Sequence, residues 1–253
     1  MNELKVAFAA LMGLIIGSFL NVVVYRFPLG ASLAYPPSSC PQCGHRLAPW
    51  ENIPVISFAL LRGRCHSCHQ SISVRYPLVE IMTAAVFALV AWRFHSPLVV
   101  ATICFFSSAL IVLSVIDIDT RKLPRKIIYV AAPFSFAALV VAALVEGEPT
   151  KVMTMVLSAL LGGAVFGIIH LARPKAMGMG DVRLAGYIGL NLGYFGVGAA
   201  VDFLYGAFLF GAIFGVLFAL VKSKSMRITI PFGPFMALGA FVALFAYPVI
   251  HIF

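Results

Sequence analysis

Two carboxylates stand at the ends of apolar runs: Asp117, which opens D-I-D-T-R-K-L-P, and Asp181, which closes G-M-G-D. A carboxylate at the margin of a bilayer is costly to keep, so two in equivalent positions point to chemistry rather than surface decoration. The chemistry open to such a pair is peptide hydrolysis. With one proton shared between them, one carboxylate activates a water as base while its protonated partner polarises the scissile carbonyl. A dyad of this kind needs two Asp residues from different segments brought within a few ångströms. Asp117 ends one expected span and Asp181 precedes another on the same side. Asp119 competes for the first role, but two residues along a helix rotate by about 200°, so only one can face Asp181, and Asp117 is the choice. Gly178 and Gly180 lack side chains and would let an extended substrate backbone approach the carboxylate. Taken singly, each Asp also has a plain structural reading, Asp117 and Asp119 as helix caps or partners of Arg121 and Lys122, Asp181 as a partner of Arg183. Asp202 reads as solvated in an outward loop. Glu80 either contacts Arg75 or helps to line a polar pocket.

A second constellation is Cys40-Pro-Gln-Cys43 with Cys65-His-Ser-Cys68, two C-x-x-C turns separated by 21 residues. Two such turns brought face to face supply four thiolates in the tetrahedral arrangement that zinc takes. Two disulfides are the alternative, but the loop is expected on the reducing cytoplasmic side. A site with all four positions filled by protein has none left for substrate, so its role is structural. His45, His66 and His69 are near enough to replace a thiolate, although they read as solvated loop histidines, and Cys104 reads as a small buried apolar residue.

The elements that must position these residues are membrane helices. The chain has 253 residues, 62% hydrophobic and 11% charged, and a mean hydropathy of +1.02. That composition excludes an ordinary soluble domain. Apolar runs long enough to cross about 30 Å of hydrocarbon predict eight spans, near 6–25, 77–94, 98–116, 127–145, 152–171, 184–201, 203–221 and 230–253. The sixth is glycine-rich and open to being re-entrant or broken. The fold class expected is therefore all-α and polytopic, with a first helix at 1–25, a cytoplasmic cysteine segment at 26–76 and a transmembrane peptidase segment at 77–253. Of the 18 Lys and Arg residues, all but Lys5, Arg93 and Lys151 fall in 26–76, 117–126, 172–183 and 222–229. By the positive-inside rule those loops are cytoplasmic and both termini face outward. The net charge of +9 thus reports orientation in the lipid bilayer and not nucleic-acid binding. The first apolar run lacks a small-x-small cleavage site and reads as a retained span. G-A-x-F-G occurs at 163–167 and 211–215, where the glycines are expected to let helices pack closely.

Seven strings in order, G-S-F-L-N-V-V-V-Y-R-F-P (17–28), C-P-Q-C-G-H-R-L (40–47), E-N-I-P-V-I-S-F (51–58), R-G-R-C-H-S-C (62–68), S-V-R-Y-P-L-V-E (73–80), D-I-D-T-R-K-L-P (117–124) and G-M-G-D-V-R-L (178–184), resemble the signatures of bacterial type IV prepilin peptidases. The resemblance runs from residue 17 to about 184. It implies a bifunctional inner-membrane enzyme of the G-x-G-D aspartic class, multi-pass and with its active site facing the cytoplasm. Such an enzyme cuts the short basic leader from prepilins and type II secretion pseudopilins after a Gly, then methylates the new N-terminal residue with S-adenosylmethionine. Carried onto this chain, it assigns catalysis to Asp117 and Asp181 and zinc to Cys40, Cys43, Cys65 and Cys68. Arg125 departs from it, standing where many members have an acidic residue. The methyltransferase half rests on resemblance alone, since no glycine-rich strand-to-helix nucleotide fingerprint occurs. Glu51, Asn52, Arg75 and Glu80 in and beside the long loop are weak candidates for the methyl-donor site.

Two other classes compete. In a proton-coupled transporter the carboxylates would relay protons and the cysteine loop would dock a cytosolic partner. In a membrane scaffold the loop would bind assembly proteins and the aspartates would only cap helices. The first predicts ion-coupled flux, the second an effect of Asp mutation on stability alone. H-E-x-x-H zinc proteolysis and Ser-His hydrolysis have no matching motif.

Overall fold

The computed structural model describes residues 2–174, 177–221 and 231–250. Among them there are nine α-helices, two short 3-10 turns and no β-strand. The chain divides into two compact units, 1–95 and 96–253.

In the first unit α1 (Asn2–Arg26) and α3 (Arg75–Arg93) run antiparallel. Small residues set their separation: a Cβ on Gly13 would lie 2.6 Å from Cα of Ala84, and one on Gly17 would lie 2.7 Å from Cα of Glu80. Close approach through small residues is how membrane helices gain contact when lipid removes the hydrophobic drive. Polar side chains tie the two ends of the pair. Asn21 donates to the carbonyl of Tyr76 at 3.1 Å and Lys5 to that of Phe94 at 2.7 Å. The intervening segment holds the short helix α2 (Ile56–Leu60) and a 3-10 turn at Pro49–Asn52.

The second unit contains α4 (Pro97–Thr120), α5 (Arg125–Val145), α6 (Thr150–Ala172), α7 (Met179–Leu192), α8 (Val197–Val221) and α9 (Gly233–Ile250). Its core is α4, with 78% of its apolar window buried against 11–39% for the other candidate spans. Six described helices are long and apolar enough to cross a membrane: α1, α3, α4, α5, α6 and α8. The chain is multi-pass, and among the described residues six helices rather than eight meet the length and apolarity of a span.

The expected spans 184–201 and 203–221 are redrawn. α7 has 14 residues, about 21 Å at 1.5 Å per residue, too short for about 30 Å of hydrocarbon. It closes in a 3-10 turn at Gly193–Phe195, and the chain breaks at Gly196, whose φ of 124° disfavours any side chain. α7 and the turn after it lie flush on α6, where a Cβ on Gly162, Gly189 or Gly193 would meet the facing backbone. Asp202, expected in an outward loop, instead sits half-buried within α8. The last expected span forms over Gly233–Ile250, while the basic stretch 222–229 lies outside the described residues, as does Lys175. The two G-A-x-F-G segments do less packing than expected: Gly163 and Gly215 face open space and only Gly211, against Phe232, is tightly enclosed.

Candidate active site and metal centre

The first acidic motif is the end of the core helix. Asp117 lies in the last turn of α4 and is 5% exposed, while Asp119 points outward. The helix stops at Arg121, a left-handed residue (φ 54°) whose N–H donates to the Asp117 carbonyl at 2.8 Å. Leu123 and Pro124 then lead directly into α5.

The second acidic motif is the start of α7. Gly178 is its N-cap in extended conformation, and Asp181 turns back so that its Oδ2 accepts the Gly178 N–H at 3.0 Å. A carboxylate in the first helical turn is favoured by the unsatisfied N–H groups and the helix dipole. The two motifs touch: a Cβ on Gly180 would lie 2.9 Å from Cβ of Leu123. They also interact electrostatically, since the Asp117 charge acts on Asp181. Gly180 therefore seats the first motif, and Gly178 remains exposed at the surface of the site. Arg183, a conceivable partner for Asp181, instead lies over the Tyr129 ring at 5.9 Å.

A third element completes the site. The N–H of Gly233, at the start of α9, donates to Asp117 Oδ2 at 2.9 Å, and a Cβ at that glycine would stand 2.9 Å from the same oxygen. Sequence reading missed this residue. Its signal was P-F-G-P (231–234) opening an apolar helix, a turn that proline and glycine punctuate but that carries no ionisable group. Each aspartate thus has Oδ2 held by a glycine N–H.

In the first unit the two C-x-x-C turns are built alike. In one, the Cys40 N–H donates to the His45 carbonyl at 2.9 Å and the Gly44 N–H to the Cys40 carbonyl at 3.0 Å; in the other, Cys65 to Gln70 at 2.9 Å and His69 to Cys65 at 3.0 Å. Gly44 (φ 72°) and His69 (φ 56°) occupy the same left-handed corner. The four cysteines are thiols, not disulfides, with their sulfurs within 4.8 Å of one another. The N–H groups of Cys43 and Gln42 hold the Cys40 thiol down to about 7. Cys68, despite the Gln70 N–H, is pushed up to about 11 by desolvation and by the three neighbouring sulfurs. Four sulfurs this close cannot all ionise without a cation among them, so the donor set fits a tetrahedral metal site.

The loop histidines are not simply solvated. His45 and His66 both approach Glu51, which is buried, and whose carboxyl is held below the usual range by the Ala48 N–H and then by His45. Glu80 is buried and accepts the Val55 N–H at 2.8 Å. A cleft of about 430 Å³ lies between α1 and the loop, lined by Ser18, Phe19, Arg26, Pro37, Asn52 and Ile53 among others.

Residues 11–94 match the Bacterial Peptidase A24 N-terminal domain and residues 104–220 the Type IV leader peptidase family. Curated relatives include "Prepilin leader peptidase/N-methyltransferase" of Pseudomonas putida, 34% identical with 94% of this chain and 90% of the relative covered. The chain belongs to the type IV leader peptidase family. The Bacillus subtilis relative of the same name is 34% identical over 92% of this chain and 91% of its own, and the Neisseria gonorrhoeae one 29% identical over 96% and 91%. No solved structure matches the chain. Both family segments fall within one compact unit each, the cysteine loop in the first and both acidic motifs in the second.

Proposed function

We propose that this chain is a bifunctional prepilin leader peptidase and N-methyltransferase with Asp117 and Asp181 as its catalytic dyad. It removes the basic leader of type IV prepilins or type II secretion pseudopilins after a Gly, at the cytoplasmic face of the bacterial inner membrane. The observation that carries the reading is the contact between the two acidic motifs, Leu123 on Gly180, with Gly233 anchoring Asp117.

The dyad works with one proton shared between its two carboxylates, because a second charge in a water-poor site is unfavourable. The ionised carboxylate takes a proton from water as the water oxygen attacks the carbonyl carbon, and the protonated one donates to the carbonyl oxygen. When the tetrahedral intermediate collapses, the C–N bond breaks, the leaving nitrogen takes up a proton from one carboxylate and a hydroxyl of the intermediate gives its proton to the other, so the dyad again holds one proton. The exposed Gly178 is where the substrate backbone approaches, unwound there because a helical backbone hides its carbonyl.

Zinc is the ion the four cysteines suit, holding the loop together. S-adenosylmethionine supplies the methyl group, and the cleft beside α1 is our choice for it. Arg26 would meet its carboxylate, Asn52 and Ser18 its polar edges, and Phe19 its ring. Calorimetry with S-adenosylhomocysteine tests the cleft; binding at least about tenfold weaker in Asn52→Ala is expected, and unchanged binding removes the assignment.

The decisive experiment is mass spectrometry of a prepilin incubated with the protein in lipid and S-adenosylmethionine. A leader-sized loss plus one methyl is expected, with cleavage abolished in Asp181→Asn and Asp117→Asn. Normal cleavage in either variant sinks the dyad, and ion-coupled flux without a peptide product returns the transporter reading.

A further inference from the structure

Outside the dyad, the four-cysteine cluster and the cleft beside α1, three groups converge: His45, Glu51 and His66. Glu51 has a side chain only 2% exposed, and its Oε1 has no hydrogen-bond partner. Its Oε2 is occupied: it accepts the Ala48 N–H at 2.6 Å and lies 3.1 Å from His45 Nε2. Beside the free oxygen stands His66 Nδ1, at 3.7 Å. All three residues can place a ligand atom within 4.8 Å of the others.

We propose that His45 Nε2, His66 Nδ1 and Glu51 Oε1 form a second divalent-metal site, separate from the four-cysteine centre, that takes Zn²⁺ and keeps one coordination position open for water or an anionic oxygen ligand. Bonds of about 2.0–2.1 Å in a tetrahedron put ligand atoms roughly 3.3 Å apart. His66 Nδ1 stands 3.7 Å from Oε1, close to that value, and His45 Nε2, now 3.1 Å from Oε2 of the same carboxylate, lies within reach of the same ion. Two neutral imidazoles and one carboxylate are a donor set of borderline softness with a single negative charge, which suits zinc, and three protein ligands leave the fourth position free. A purely hydrogen-bonded brace would use His45 and leave the buried Oε1 without a partner, the arrangement that proteins avoid.

The site follows from the cysteine fold. His45 comes two residues after Cys43 and His66 lies inside the second C-x-x-C, so each turn contributes one imidazole. Glu51 enters from the 3-10 turn at Pro49–Asn52 between them. The rings are 6.4 Å apart, and with side chains 32% and 58% exposed both have freedom to close on an ion. Trp50 meets His66 edge-on at 5.5 Å and provides a reporter.

The test uses the full chain in detergent, saturated with Zn²⁺, desalted and measured by elemental analysis. About two zinc ions per chain are expected, falling to about one in His66→Ala and Glu51→Gln and staying near two in His69→Asn. Added Co²⁺ quenches Trp50 in a partly zinc-stripped sample, and His66→Ala abolishes the quenching. One zinc in the unaltered protein overturns the site, as does a content unchanged by His66→Ala. A lowered melting temperature with unchanged zinc makes the cluster a hydrogen-bonded brace and also overturns it. Loss of both ions in His66→Ala would assign that histidine to the cysteine centre instead. If Glu51→Gln does not fold, the exposed His66 decides alone.

Discussion

Asp117 and Asp181 are held in the same way, each with Oδ2 on a glycine N–H. For Asp117 the donor is Gly233, and a methyl group there would push against the oxygen it positions. Gly233→Ala should therefore lower kcat for prepilin cleavage by about ten- to a hundredfold, the cost of misplacing a reacting group by a fraction of an ångström to one ångström. Asp119→Asn, altering an exposed side chain on the other face of α4, should keep cleavage within about threefold. A steady-state assay of both variants separates the two aspartates. In the loop, His69 adopts the left-handed conformation that Gly44 adopts in the sister turn. His69→Gly should stabilise the protein by about 0.5–1 kcal/mol, read as a higher midpoint in thermal unfolding.

Helix pairs in this molecule are set by glycines that face a neighbouring backbone. A Cβ on Gly189 would clash with the Ser158 carbonyl of α6, whereas one on Gly163 meets nothing within 4 Å. Gly189→Ala should destabilise by about 1–3 kcal/mol while Gly163→Ala is neutral or slightly stabilising, by thermal unfolding in one detergent. The turn between α5 and α6 is tied to the end of α7 by Glu146, which accepts from Lys151 Nζ at 2.8 Å and from the Tyr194 hydroxyl at 2.6 Å. Lys151, and then Tyr194, hold the Glu146 carboxyl below its usual range. A depressed value means that its contribution is present at and above the ordinary glutamate range and is lost as pH falls through the lowered value. The pair is partly exposed, so the stabilisation is about 0.5 kcal/mol. Glu146→Gln should melt below the unaltered protein at pH 7, and the gap should close in acid.

For the whole molecule, the two compact units have different sources of order. In the second unit α5 and α9 pack on α4, which is largely enclosed, while α6 pairs with α7 and α8 with α9. The loop of the first unit is held by two tight turns, two isolated bridges (Ser39 with Arg46, Arg64 with Ser71) and very short helices. A polar segment with so little apolar burial depends on a metal for its order. Zinc chelation should make the chain cleavable by trypsin at Arg46, Arg62 and Arg64, with protection restored by added Zn²⁺. Digestion unchanged by the chelator would show that the loop orders without metal.

Composition, basic-residue placement and ordered motifs determined the broad answer: a helical membrane protein of this family, two acidic motifs and four clustered cysteines. These features are local in sequence, since apolar length, charge asymmetry and C-x-x-C spacing act within about 20 residues. That Asp117 and Asp119 face different ways was also within reach, because helical rotation separates them; which of the two is buried came from the structure. The glycines of the sixth expected span signalled that it could break, but not that α7 would end at Leu192 and the chain turn at Gly196. Gly233 was less legible still: it reaches Asp117 across |i−j| = 116 and has no side chain to announce a role. His45 and His66 looked solvated for the same reason, their partner Glu51 being brought between them only when the two cysteine turns close. Tertiary structure alone decided these points, since each is a meeting of segments whose local sequences carry no record of one another.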